Sequence, residues 1–193
     1  MIIGDRFVWA HLPKAAGTAT QEMIASVPGL VRFQVPIDSN DKHAPFWMHG
    51  EAIEGKLRAM NIRRLPSWLL SIAHHRSALG VSPDFVPLQL PTDAEIAGSG
   101  EADEMIAWMT RGTPVDRWLR MESLSADVEG LLVELGTDAR TARKAIATVP
   151  YVAKDYDHDI RNRFTPEQLR EMYEGNPTWT SVEMAVYGSI IAP

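Results

Sequence analysis

The residues best placed to do chemistry lie in residues 7–20, FVWAHLPKAAGTAT. An apolar, β-rich run reaches His11, a short loop follows with one Lys and one Gly, and a helical pattern starts at the threonines. The first N–H groups of a helix have no intrahelical partner and carry partial positive charge. A turn of this kind is an anion cradle. Gly17 lets the main chain approach an anion closely, and Thr18 and Thr20 add hydroxyl donors. Pro13 stiffens the loop, and Lys14 brings a full positive charge. The pattern is not a Walker A loop, in which Lys follows the last Gly and is itself followed by Ser or Thr. Here Lys14 precedes Gly17 by three positions.

Other titratable groups carry both a chemical and a plain structural reading. His43, in Asp41-Lys42-His43, is an imidazole that titrates near neutral pH and suits a general base. A surface histidine in a polar loop fits the same residues. His49 and Glu51 are runners-up, and Lys42 can assist an anionic group. His74 and His75 are adjacent on a helical stretch. They point about 100° apart and cannot easily share one metal. His158 stands among Asp155, Asp157 and Asp159, which reads as a solvated acidic turn rather than a calcium loop. His11 reads as a packing or loop-orienting residue, not a base.

The elements that must position these groups follow from periodicity. A strand is predicted over 6–11 and a helix over 18–27, with Ala19, Met23, Ile24 and Val27 on one face. Further expectations are a strand over 31–35, a helix over 51–58, a strand over 58–62 and a helix over 66–77. A helix over 103–110 and an extended run over 115–120 come next. Leu124, Val128, Leu131, Leu132 and Leu135 form a helical stripe closed by Gly136. Helices are predicted over 139–147, from the capping box at Thr165 to Gly175, and over 178–187. Residues 82–100 hold Pro83, Pro87 and Pro91 and read as a long surface excursion. Early strands alternate with helices and the C-terminal third is helical. That order predicts an α/β fold with a central, mainly parallel sheet flanked by helices.

Composition narrows the classes. A chain of 193 residues suits a single domain over 1–193. No run approaches the roughly 18 apolar residues of a membrane span, and the N-terminus does not read as a signal peptide. Zero Cys excludes disulfides and thiolate chemistry and fits a reducing, cytoplasmic setting. A net charge of −6 argues against a nucleic-acid partner held by broad phosphate neutralisation. Interleaved basic and aromatic residues are not evident.

The octamer His11-Leu12-Pro13-Lys14-Ala15-Ala16-Gly17-Thr18 resembles the 5′-phosphosulfate loop of sulfotransferases that use 3′-phosphoadenosine 5′-phosphosulfate (PAPS), in the form typical of their bacterial and carbohydrate-type branches. Arg63-Arg64-Leu65-Pro66-Ser67-Trp68-Leu69-Leu70-Ser71 resembles the family's 3′-phosphate motif, an Arg at a strand end with a Ser eight residues on. The family's Pro usually comes two residues after that Arg. Here Pro66 is two after Arg64 and three after Arg63, so both arginines stay open, and the Ser71 spacing favours Arg63. Residues 115–136 and 155–188, including Asn176-Pro177, Trp179 and Glu183, resemble architectural parts of the family.

The resemblance implies a P-loop-type three-layer fold and transfer of a sulfuryl group to a hydroxyl or amine of a carbohydrate or small-molecule acceptor. PAPS would be the donor and adenosine 3′,5′-bisphosphate (PAP) the product, with no metal expected. Pro13, Lys14, Ala15, Ala16, Gly17, Thr18, Ala19, Thr20, Arg63 and Ser71 would hold the donor. Lys14 would act catalytically with His43, which lies where family members often carry the base. Ala19 stands where Ser or Thr is common. Two other readings stay open: an ATP-using P-loop phosphotransferase, and a non-catalytic nucleotide-binding module of the same fold.

Overall fold

The computed structural model describes residues 1–79, 90–149 and 158–192. The chain divides into two compact units, each assembled from two stretches: Met1–Ile62 with Ala107–Lys154, and Arg63–Ile106 with Asp155–Pro193.

The first unit is α/β. Strands β1 (Ile2–Gly4), β2 (Phe7–Ala10), β3 (Val31–Gln34), β4 (Leu57–Ile62) and β5 (Arg117–Arg120) form one sheet in the order β3-β1-β2-β4-β5. β2, β4 and β5 run parallel, with Ala10 opposite Met60 and Met60 opposite Trp118. β1 pairs antiparallel with both β2 and β3. The sheet is therefore mixed: parallel across β2, β4 and β5, while the expected strand over 31–35 is β3, at the antiparallel edge. β1 is an addition to the sequence reading; three residues are too few to show an alternation.

Every side chain of β2 is buried, as a central parallel strand covered on both faces requires. Phe7 and Trp9 join a core with Met23 and Ile24 of α1 (Gly17–Ala25) and with Val27 just beyond it. The same core takes Val128, Leu131 and Leu132, and Ala142 and Ala145. These belong to two further helices, introduced below, whose apolar faces cover the sheet.

Between β4 and β5 the chain forms α2 (Leu65–Leu79), α3 (Asp93–Ala97) and α4 (Glu101–Thr110). After β5 come α5 (Leu124–Glu134), α6 (Ala139–Ala147), α7 (Ile160–Arg163), α8 (Pro166–Gly175) and α9 (Pro177–Tyr187). The stripe on α5 is buried as predicted, and the helix closes with Gly136 at φ 95°. Thr137 N–H reaches back to Leu132 O at 2.9 Å, a Schellman closure. The Thr165 capping box forms with Gln168, and Phe164 and Leu169 are buried beside it.

Two expectations fail. The helix predicted over 51–58 is instead a 3-10 turn, Phe46–Ile53, followed by β4. Gly50 at φ 42° and Gly55 at φ 66° break any continuous helix there. In the excursion over 82–100, residues 80–89 lie outside the described residues, but Asp93–Ala97 is a helix. Its start is a Thr92–Glu95 capping box, a T-x-x-E pattern that the sequence carries openly.

The second unit is helical. Its centre is a set of buried polar anchors on α9. Asn176 Oδ1 accepts from Ala102 and Asp103 N–H at 3.1 and 3.2 Å, in the first turn of α4. Asp103 in return accepts from Thr178 and Trp179 N–H at 2.8 and 2.7 Å, capping α9. Each helix start thus supplies the side chain that caps the other, so orphan N–H groups are satisfied reciprocally.

Candidate functional site

The loop after β2 has an unusual backbone. Lys14 and Ala16 both take left-handed conformations, φ 59° and 63°, which non-glycine residues rarely adopt. Ala16 is the N-cap of α1 and offers no side-chain cap. The first helical bond is Thr20 N–H to Ala16 O at 3.1 Å, so the N–H groups of Gly17, Thr18 and Ala19 stand outside the helical ladder. α3, α6, α7 and α8 each carry a side-chain cap, from Thr92, Asp138, Asp159 and Thr165. α1 opens without one. Pro13, Lys14 and Ala16 are half-buried, and Thr18 is exposed.

Gly17 is needed for a different reason from the one the sequence suggests. Its φ is not in the left-handed region. A Cβ at this position would lie 1.9 Å from His11 Cδ2 and 2.0 Å from His11 Nε2. The glycine makes room for a buried imidazole. His11, 4% exposed, is a packing residue as expected. Burial above all, then repulsion from the protonated forms of His43 and the Met1 amino group and from Lys42, drives its pKa down to about 3. The ring is therefore neutral at working pH.

Thr20 is not the hydroxyl donor expected of it. It is fully buried; its hydroxyl donates to Ala16 O at 3.1 Å and accepts from Asn61 Nδ2 at 2.8 Å. Asn61 Oδ1 in turn accepts from Trp9 Nε1 at 2.7 Å. This buried chain ties β2 and β4 to the start of α1, and its hydroxyl has no surface to offer a ligand. Asn61 was missed in the sequence, although a lone amide inside the strand LRAMNI marks a polar group that burial obliges to find partners.

His43 closes the 3-10 turn Asn40–His43, which Ser39 caps. Its Nδ1 lies 2.9 Å from His11 O, and the two imidazoles meet edge to face at 4.5 Å between centroids. A carbonyl only accepts, so Nδ1 carries the proton and Nε2 is the basic nitrogen. Burial, first, and the charges of Lys42, the Met1 amino group and Lys14 hold the His43 pKa below 6.5, against the pull of the His11 carbonyl. Lys14 and His43 are thus within electrostatic reach of each other. Lys42 Nζ donates to Ile37 O at 3.0 Å. His49, whose Nε2 is buried with no hydrogen-bond partner, lines a cavity of about 400 Å³ with Phe33 and Met48, and Glu51 is exposed.

In the second unit, Arg63 and Arg64 follow β4 directly. Arg63 and Ser71 are both buried, 7% and 4% exposed, with Ser71 on α2. Trp179 Nε1 donates to Arg63 O at 3.1 Å. Arg64 is held by structure: Nη1 donates to Glu183 Oε1 at 2.9 Å and to Ser189 O, and the guanidinium stacks over Tyr187 at 4.0 Å. Glu183, fully buried, also accepts from Leu65 N–H at 2.7 Å and Tyr173 OH at 3.1 Å.

A second cavity of about 620 Å³, lined by Trp47, Ile53, Leu57 and Asp116, lies at the start of β4. Neither cavity is lined by the loop at 13–18. Among the described residues no group of three or more His, Asp or Glu is placed to hold a metal ion, and no helix is long and apolar enough to cross a membrane. No family model matches the chain, and no curated protein or solved structure matches it.

Proposed function

We propose that the chain is a small PAPS-dependent sulfotransferase of P-loop-type fold, acting on a hydroxyl or amine of a carbohydrate or other small-molecule acceptor in the cytoplasm. One observation carries this reading: the uncapped start of α1, entered through left-handed Lys14 and Ala16, has a Lys in its loop and a neutral imidazole beside it. Free N–H groups at a helix start bind an anion, and a nearby neutral imidazole accepts a proton.

In this reading the N–H groups of Gly17, Thr18 and Ala19 receive the 5′-phosphosulfate, with Pro13, Ala15 and Ala16 shaping the loop. The acceptor oxygen or nitrogen attacks sulfur and a new bond to sulfur forms. The bond from sulfur to the phosphate oxygen breaks, and its electron pair stays on PAP. Lys14 neutralises the charge growing on that oxygen. The acceptor proton passes to His43 Nε2. Arg63 offers a planar fork to the 3′-phosphate and Ser71 a hydroxyl. The ion pair of Arg64 with Glu183 favours Arg63 for that role.

Titration of the protein with PAP and with ATP–magnesium, followed by a sulfate-transfer assay over an acceptor panel, tests the proposal. PAP binding with transfer that Lys14→Met abolishes supports it. PAP binding without transfer to any acceptor points to the non-catalytic module. ATP–magnesium binding without PAP binding points to the phosphotransferase.

A further inference from the structure

We propose that His11 is the positioning residue of this site: its ring fills the space a side chain at Gly17 would take, and its main chain holds His43 in the Nδ1–H tautomer. One residue then sets both the shape of the phosphate loop and the orientation of the base. The inference rests on the loop-and-base reading above and adds the element that joins the two.

Three contacts carry it. The would-be Cβ of Gly17 lies 1.9, 2.0 and 2.6 Å from His11 Cδ2, Nε2 and Cγ, so ring and loop backbone are interlocked with no space between them. The His11 carbonyl receives His43 Nδ1–H at 2.9 Å. The His11 and His43 rings meet at 4.5 Å and 64°, an edge-to-face arrangement that fixes the second ring against the first. Trp9, with its centroid 5.4 Å from that of His11, backs the ring from β2. Interiors at this density do not deform smoothly, so a displaced His11 ring moves both neighbours. The ring enters the loop as a neutral wedge, which leaves Lys14 as the cation of the loop itself.

The test uses the full chain without ligand, and then with PAP. Long-range proton–nitrogen NMR correlations report the His43 tautomer directly. Wild-type protein shows a single Nδ1–H form. Gly17→Ala drives a methyl into the His11 ring; His43 then populates both tautomers, and PAP binds at least tenfold more weakly. The double variant His11→Ala/Gly17→Ala removes the clash, so the added methyl costs less than threefold in PAP affinity relative to His11→Ala alone. If Gly17→Ala does not fold, folding of the double variant is the same rescue, and a double variant that also fails to fold overturns the proposal. Unchanged His43 nitrogen shifts in Gly17→Ala overturn it, as does an equal Gly17→Ala penalty in both backgrounds. If wild-type protein binds no PAP, the sulfotransferase reading falls, while the His43 tautomer in the ligand-free wild-type and Gly17→Ala proteins still decides the role of His11.

Discussion

Separating the two adjacent arginines is the sharpest test of how the donor is held, because the structure assigns them different costs. Arg64→Ala leaves the fully buried Glu183 carboxylate without its cation. Breaking a buried ion pair on one side costs about 3–5 kcal/mol. Two features place this case at the lower end. The Arg64 side chain is 21% exposed, so water already shares its solvation. Glu183 also keeps the Leu65 N–H and the Tyr173 hydroxyl, and burial already raises its pKa, so it can take up a proton once the guanidinium is gone. We expect a loss of about 3 kcal/mol, or about 1.5 M in the urea midpoint at a slope near 2 kcal/mol/M. Arg63→Met keeps the buried stem and the main-chain carbonyl that Trp179 uses, and removes only the guanidinium. PAP affinity should fall about 10- to 150-fold, the equivalent of a charged hydrogen bond worth about 1.5–3 kcal/mol. Urea unfolding and calorimetric PAP titration on both variants decide the matter. An Arg64→Ala protein of native stability that has lost PAP, beside an Arg63→Met protein that binds it normally, would refute the assignment.

Three more outcomes follow from the same contacts. Thr20→Val strands the Asn61 amide and should cost about 1–3 kcal/mol in urea while PAP affinity holds within threefold, because the hydroxyl serves the buried chain and not the ligand. The acid limb of kcat against pH should lie below 6.5, since burial and neighbouring cations lower the His43 pKa; His43→Gln should flatten that limb and cut kcat about 100-fold or more. His11 is neutral in the fold down to about pH 3 but takes a proton below about 6.5 when unfolded. The unfolded state therefore binds more protons across that window. Stability from this residue is full above pH 6.5 and falls as pH drops, approaching about 1.4 kcal/mol per pH unit by pH 5.5. Unfolding curves for wild type and His11→Ala between pH 7 and 5.5 should show a smaller slope in the variant.

How much of this was legible in the sequence depends on the range of the forces involved. The helices α5, α6 and α8 were readable because a local period, a Gly at the exit or a capping box at the entry decides them within a few residues. β2 and β4 were readable as apolar runs. The helix predicted at 51–58 was misjudged because glycine conformation overrides a weak propensity, and Gly50 and Gly55 both take positive φ. The strand–loop–helix order around Lys14 and Gly17 was legible. What could not be read is which atom needs the glycine. The demand comes from the His11 ring six residues earlier, and no local rule sees a ring folding back over a turn. Thr20 was misassigned for a related reason. A threonine in a first helical turn normally reads as a free hydroxyl, and only the pairing of β4 beside β2 brings Asn61 onto it. Arg64 likewise depended on Glu183, which lies 119 residues away.

The loop also has an energetic logic of its own. A left-handed conformation costs a non-glycine residue roughly 1–2 kcal/mol. The sequence accepts that cost twice, at Lys14 and Ala16, while a glycine sits immediately next in the chain with an ordinary φ. Moving the glycine back one position would relieve Ala16, but position 17 would then need a side chain, and the His11 ring forbids it. Strain at 14 and 16 and the wedge at 11 and 17 are therefore parts of one arrangement. The wedge makes position 17 the glycine, and the left-handed turns aim the loop so that α1 begins with three N–H groups and no cap. The N-cap residues of α3, α6, α7 and α8 supply a side-chain oxygen, and Asn176 and Asp103 cap α4 and α9, so capping was within reach of this sequence, although α5 shares the lack of an N-cap side-chain bond. Under the proposed function, a start that is both strained and uncapped would gain back its cost when an anion supplies the missing acceptor, and Lys14 would add the charge that selects one.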